Sequence, residues 1–522
     1  MSLRWKDIHD WVFLGGIFLI AAGIPVSHFL MSVGGLAISA NWLLEGGYRR
    51  KFKALLSHKA ALVFLSIYFL HALGMLYTQD IDFGLKDLRI KLPFLALPII
   101  LASSRPLKAN ELRLVLMAFV AAVAFGSFRS LFELLTAEVT DVRQISVYIS
   151  HIRFALSVCL AIFILGYSVF NNWFPGKPAL GIQVMLILWL GVFLFLLQSF
   201  TGLMVMGGTS VLLLLIYGWQ SDRRDIRMAL LSAGILLPLL TGAYIYSVVR
   251  TMHTPQPVDF GALEQYSEAG SFYRHDTLNQ QTVNGHYMWL YLAEDELKEA
   301  WEGRSSLDFY GNDLVGHDLR DIIIRYLTSK GLRKDSTGLA SLSDAEIRLI
   351  EQGTGNARCG GLNVLKARIC QIYWEYETYR WTGDPSGHSV LMRWEYWKAA
   401  WGIIRHHPVA GVGTGDLKQA FAEQYDHMGS TLDPEWRLRS HNQYLSIFAA
   451  FGAIGLFVFL IALFLPLRWK RPPEPMLFIA FFIIALLSMT TEDTMESQAG
   501  ATFIAFFYCL LLLRAQGAEP DA

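Results

Sequence analysis

About twelve apolar runs, each at or near the ~20 residues that a helix needs to cross a hydrocarbon core, limit what this chain can fold into. They lie at Trp11 to Ile24, Val26 to Leu44, Ala54 to Leu76, Leu88 to Ala102, Leu112 to Leu135, Tyr148 to Phe170, Leu180 to Gln198, Gly202 to Gly218 and Met228 to Val249. After a long polar insert come Gln443 to Leu467, Pro475 to Thr490 and Ala499 to Leu513. Inside lipid the backbone must bond to itself, so runs of this length are helices. The expected fold is all-α: a polytopic membrane protein of about 12 transmembrane helices, with a mainly helical periplasmic domain inserted between helices 9 and 10. The predicted domains are residues 1–249 (helices 1–9), 250–440 (the periplasmic loop domain) and 441–522 (helices 10–12). An apolar content of 53% excludes an ordinary soluble enzyme. With 44 basic against 44 acidic residues there is no global charge to attract nucleic acid.

Orientation follows from basic residues. Placing the N-terminus in the cytoplasm puts Arg4, Lys6, Arg49, Arg50, Lys51, Lys53, Arg105, Lys108, Arg223, Arg224, Arg227, Arg468, Lys470, Arg471 and Arg514 on one side. The opposite short loops carry chiefly Lys86, Arg89, Lys91 and Arg143. Nine helices then leave the insert outside the cytoplasm. The first apolar run lacks the form of a cleavable signal and is expected to remain as a helix. Within the insert, helical patterns occur up to Trp301, at Leu319 to Leu327, at Ala345 to Glu351 with Asp344 as the N-cap, and at Leu365 to Trp381. Cys359 and Cys370 could form a disulfide if the insert faces an oxidising compartment, and the sequence leaves open whether they do; their spacing matches no metal signature.

The insert ends at Arg437-Leu438-Arg439-Ser440-His441, and a spanning run begins within three residues of His441. A titratable imidazole beside fixed positive charge at a water–lipid boundary suits chemistry on an anionic, lipid-linked substrate. Upstream, Gly411-Val412-Gly413-Thr414-Gly415 is glycine-rich but lacks the lysine spacing and the preceding strand of a nucleotide loop. His406 and His407 are adjacent, diverge on regular backbone and make a poor metal pair.

His407-Pro408 with that glycine run, followed by Ser440-His441-Asn442-Gln443-Tyr444-Leu445 and Phe451-Gly452-Ala453-Ile454-Gly455, resembles the O-antigen ligase and O-antigen polymerase superfamily. The likeness looks closest to O-antigen ligase-like proteins of Bacteroidota. It extends to Ser150-His151-Ile152-Arg153, to Ser386-Gly387-His388-Ser389 before Arg393, and to Thr491-Glu492-Asp493.

The resemblance implies a C-type glycosyltransferase of the bacterial inner membrane, with its active site facing the periplasm and no metal or nucleotide cofactor. Its donor would be an undecaprenyl-diphosphate-linked glycan and its acceptor a hydroxyl of the lipid A core or another saccharide. Membrane lipids are the other partners, and nucleic acid is not one. His441 matches the proposed general base, and Arg393 matches the arginine proposed to hold the diphosphate. Many relatives carry a further arginine where this chain has Phe200. Arg153 is the expected substitute, with Arg439 second and Arg437 beside it. Glu492 and Asp493 are expected to orient His441 or an arginine, Glu492 being counted with the substrate-binding set. Polymerisation and transfer to protein hydroxyls use the same donor chemistry. A polysaccharide or lipid transporter is the non-enzymatic alternative.

Overall fold

The computed structural model describes residues 5–136, 145–253, 256–359 and 364–515. Arg4 and Arg143 of the charge count lie outside them. The first half of the chain forms α1 (Trp5–Val26), α2 (His28–Leu44), α3 (Tyr48–Ser57), α4 (Lys59–Gly74), α5 (Ile81–Ser103), α6 (Ala109–Thr136), α7 (His151–Phe170), α8 (Lys177–Leu196), α9 (Phe200–Gln220) and α10 (Arg224–His253). Then follow α11 (Glu294–Glu302), α12 (Leu319–Ser329), α13 (Ser336–Ala340), α14 (Asp344–Glu351) and α15 (Val364–Thr382). The last part holds α16 (Ser389–His406), α17 (Leu417–His427), α18 (Gln443–Phe464), α19 (Pro466–Trp469), α20 (Pro475–Thr491) and α21 (Gln498–Tyr508). Every apolar run is helical, the one at Ala54 to Leu76 being split at His58 between α3 and α4, and the chain is an all-α polytopic membrane protein. Eight of the described helices are long and apolar enough to cross a bilayer, and α2, α20 and the run from Gln498 to Leu513 are shorter apolar helices.

The remaining apolar run, α5, departs from expectation. It begins at Ile81 rather than Leu88, because the Asp80 side chain accepts from the Phe83 N–H and caps the helix early. Lys86, Arg89 and Lys91 are therefore helical and not loop residues, and Lys91 is fully buried.

The chain divides into two compact units, Met1–Gly234 with Pro385–Ala522, and Ile235–Asp384. Residues 385–440, expected in the loop domain, thus belong to the same compact unit as most of the spanning helices. In the second unit, Trp301, Phe309, Ile323 and Leu327 are fully buried in one apolar cluster. The N-cap of α14 is Ser343, not Asp344: Ser343 and Glu346 close a reciprocal capping box that satisfies two backbone N–H groups, which Asp344 cannot do one position later. Cys359 and Cys370 are joined in a disulfide.

In the first unit α18 is broken at Gly452, whose φ of 63° and ψ of −167° only glycine adopts readily. A break inside an apolar helix frees backbone groups that lipid cannot satisfy. The glycine-rich loop after α16 supplies the partners. Ala453 N–H donates to Pro408 O at 2.9 Å and Ile454 N–H to Val409 O at 3.3 Å, while Val412 and Gly413 N–H donate to Ala449 O and Ala450 O at 3.1 and 2.8 Å. The same loop holds the end of α4, where Thr414 Oγ1 donates to His71 O and the Asp416 carboxylate accepts from Gln79 and Asp80 N–H. The N–H groups of Val412 and Gly413 are engaged by carbonyls, so this motif is a brace that fixes α16 and α18 side by side.

A Cβ on Gly452 would lie 2.1 Å from the Val409 carbonyl. Gly452→Ala is therefore expected to destabilise by at least about 3 kcal/mol, combining backbone strain with the clash. Thermal unfolding of the detergent-solubilised protein measures it. Gly35→Ala, where a Cβ meets nothing within 4 Å, should leave the midpoint unchanged.

Candidate active site

The first turn of α18 sets the position of His441. Asn442 caps the helix through its side chain, which accepts from Leu445 N–H at 3.1 Å. His441, just before the cap, has a φ of 47°, the left-handed region that few non-glycine residues occupy. Asp493 holds it there. Its Oδ2 accepts the His441 N–H at 3.2 Å, and its Oδ1 accepts the hydroxyls of Ser446 and Ser440 at 2.7 and 3.4 Å. The Tyr396 ring of α16 stacks on the imidazole, with centroids 5.5 Å apart.

So turned, His441 Nδ1 lies 3.3 Å from Glu492 Oε2. Glu492, at the end of α20, also accepts from Arg393 at 2.9 Å, and Arg153 stands 3.9 Å from it. Its side chain is 3% exposed. Burial alone would raise this carboxyl, but the hydrogen bond to His441 and the charges of His441, Arg393 and Arg153 outweigh it, and Glu492 stays below the usual carboxylate range. The adjacent Asp493 shifts the other way: burial, with Glu496 nearby, raises it against the pull of Arg439.

The two arginines are themselves held by backbone. Arg393 donates through Nε to Thr491 O at 3.3 Å and through another nitrogen to Ser389 O at 3.0 Å. Arg153 donates to Ser497 Oγ at 3.1 Å and to Asp493 O at 3.3 Å. Helix α9 starts at Phe200, capped by Ser199, and packs closely on α7: a Cβ on Gly202 would lie 2.6 Å from that of Ala155, two residues beyond Arg153. Phe200 and Arg153 thus belong to neighbouring helix starts.

Arg439 reaches Glu496 at 3.0 Å. Glu496 is the near end of a buried chain of charge that sequence reasoning missed. Lys91 Nζ donates to Glu496 at 2.8 Å and to Asp87 at 2.7 Å, and Asp87 meets His71 Nδ1 at 2.9 Å. Gln443 closes it by donating to Glu496 at 3.0 Å and accepting from Met495 N–H at 2.8 Å. Lys91 and Arg439 hold Glu496 well below the usual range although burial opposes them. The available signal was the Asp87–Lys91 pair four residues apart leading into an apolar run, since ionisable groups there are rarely idle.

Arg437 does not join the site. Leu438 N–H donates to Trp436 O at 2.9 Å, a three-residue turn centred on Arg437 that sends its side chain to Asp426 at 2.6 Å and to Leu432 O at 3.0 Å. Of the expected residues, then, His441, Arg393, Arg153 and Glu492 meet directly, Arg439 stands beside them on Glu496, and Arg437 braces the preceding loop.

No curated protein matches the chain. Residues 359–460 match a family model described as O-antigen ligase. That segment runs through Arg393, the glycine brace and His441 to the broken helix, so this part of the chain is similar to the O-antigen ligase family.

Proposed function

We propose that this membrane glycosyltransferase moves a glycan from an undecaprenyl-diphosphate carrier to an acceptor hydroxyl, with the lipid A core as the acceptor, at the periplasmic face of the inner membrane. The observation that carries this reading is the convergence on Glu492 of one imidazole and two guanidinium groups. A carboxylate at Nδ1 fixes the tautomer that leaves Nε2 as a proton acceptor, and it stabilises the imidazolium once the proton arrives. The acceptor oxygen forms the new bond to the anomeric carbon as the bond to the diphosphate oxygen breaks. The hydroxyl proton passes to His441 Nε2, and the electron pair leaves with the lipid diphosphate. Arg393 and Arg153, with Arg439 close by, oppose the charge that concentrates on the leaving group, and as arginines they do so without donating a proton. Displacement in one step inverts the anomeric centre. The basic-residue asymmetry and the Cys359–Cys370 disulfide both support a periplasmic location for the insert.

Arg393→Ala should reduce kcat/KM by the equivalent of about 2–4 kcal/mol, and Lys should restore only part, because the planar fork is lost. The test of the function is purified protein in nanodiscs with a polyprenyl-diphosphate glycan and a core acceptor. A covalent glycoside is expected, whereas relocation of the lipid without a new glycosidic bond would mark a transporter. In a deletion strain, long polymer stranded on the carrier identifies the ligase, and loss of long polymer identifies the polymerase.

A further inference from the structure

We propose that the indole N–H of Trp397 and the hydroxyl of Thr491 are donors reserved for oxygens of the bound diphosphate, completing with Arg393 a subsite for that group. This deepens the transfer reading and rests on it. Both atoms are buried, and neither has a hydrogen-bond partner among the described residues. Their places in the fold flank Arg393 from two elements. Trp397 follows it by one turn on the same side of α16, and helical side chains lean toward the N-terminus, which directs the indole toward the turn that carries Arg393. Thr491 is the last residue of α20, and its own carbonyl accepts from Arg393 Nε at 3.3 Å.

Around these two atoms the polar groups are paired. Arg393 bonds to Ser389 O, Thr491 O and Glu492, and Glu492 spends one oxygen on Arg393 and the other on His441. A buried donor left unmatched costs free energy, and two of them beside a binding arginine are accounted for by a ligand that pairs them. The indole nitrogen only donates, so it suits an acceptor-rich ligand. A diphosphate already drawn to Arg393 offers acceptor oxygens in every direction. Its arrival would pair both donors and let the arginine exchange its carboxylate for phosphate.

Thr491→Val keeps shape and removes only the donor, whereas Trp397→Phe removes the donor together with part of the ring, so Thr491→Val carries the stability comparison. Were these atoms structural, their loss would weaken the fold. Removing donors that are idle in the unliganded protein instead leaves the thermal midpoint unchanged or higher, while the bond to an ionised ligand is lost. The full chain in nanodiscs is titrated calorimetrically with farnesyl diphosphate, which carries the diphosphate and no sugar. Each variant is expected to bind about tenfold more weakly than wild type, the usual order for one hydrogen bond to a charged group, and Thr491→Val to do so with no fall in melting temperature. Unchanged farnesyl diphosphate affinity in both variants overturns the subsite, even if turnover falls, since the donors would then serve the sugar. Wild-type protein that transfers glycan but does not bind the probe overturns it too. Wild-type protein that binds the probe and forms no glycoside contradicts the transfer reading alone.

Discussion

His441→Ala should lower glycan transfer by about a hundred- to ten-thousandfold while leaving the protein folded and inserted, the usual range for loss of a positioned general base. The residue sits at a φ of 47°, so alanine also adds some backbone strain. His441→Asn separates the two effects, because asparagine tolerates the left-handed region and still lacks a base. Both variants should be inactive, and the asparagine form should keep the wild-type melting temperature. Near-normal transfer by the asparagine form would remove His441 from the proton-accepting role. Glu492→Gln should fall between these extremes, since an amide can still orient the ring but cannot stabilise the imidazolium.

The second large effect is expected away from the reacting groups. Lys91 is fully buried, with its ammonium between Asp87 and Glu496. Lys91→Met would leave two carboxylates facing each other without their shared cation, and breaking a buried pair in this way costs about 3–5 kcal/mol. A drop in melting temperature of the solubilised protein measures it. Restoring neutrality with Glu496→Gln in the same chain should recover much of that loss, because the penalty comes from unmatched charge and not from lost volume. If Lys91→Met alone were neutral, the chain from His71 to Arg439 would have no energetic importance.

How far the sequence carried these conclusions depends on the kind of signal each rests on. Spanning helices are written in local composition, so the apolar runs were legible as helices, eight of the described ones being long and apolar enough to cross a bilayer. The break in α18 was not, because one glycine in an apolar run reads equally as close packing. Its cause lies in Pro408 and Val409, which reach Gly452 only once the loop has folded back. Likewise the early start of α5 depends on one capping side chain, Asp80, and the count of basic residues placed Lys91 with the outside loops although it falls within the apolar run from Leu88. Arg437 and Arg439 look equivalent in sequence, and a three-residue turn sends them to different partners. His441 and Arg393 were legible because their motifs are short and contiguous. The hub that joins them to Arg153 was only half visible, since Glu492 lies far from all three in the chain and nothing local distinguishes it from Asp493.

The anomeric configuration of the product is the most direct test of a one-step displacement assisted by His441. Purified protein is supplied with a polyprenyl-diphosphate glycan of known configuration, and the new linkage is read by the one-bond carbon–proton coupling at the anomeric centre. Inversion is the expected result. Retention would mean that an enzyme carboxylate attacks first, and it would contradict the proposed roles of His441 as proton acceptor and Glu492 as its orienting partner.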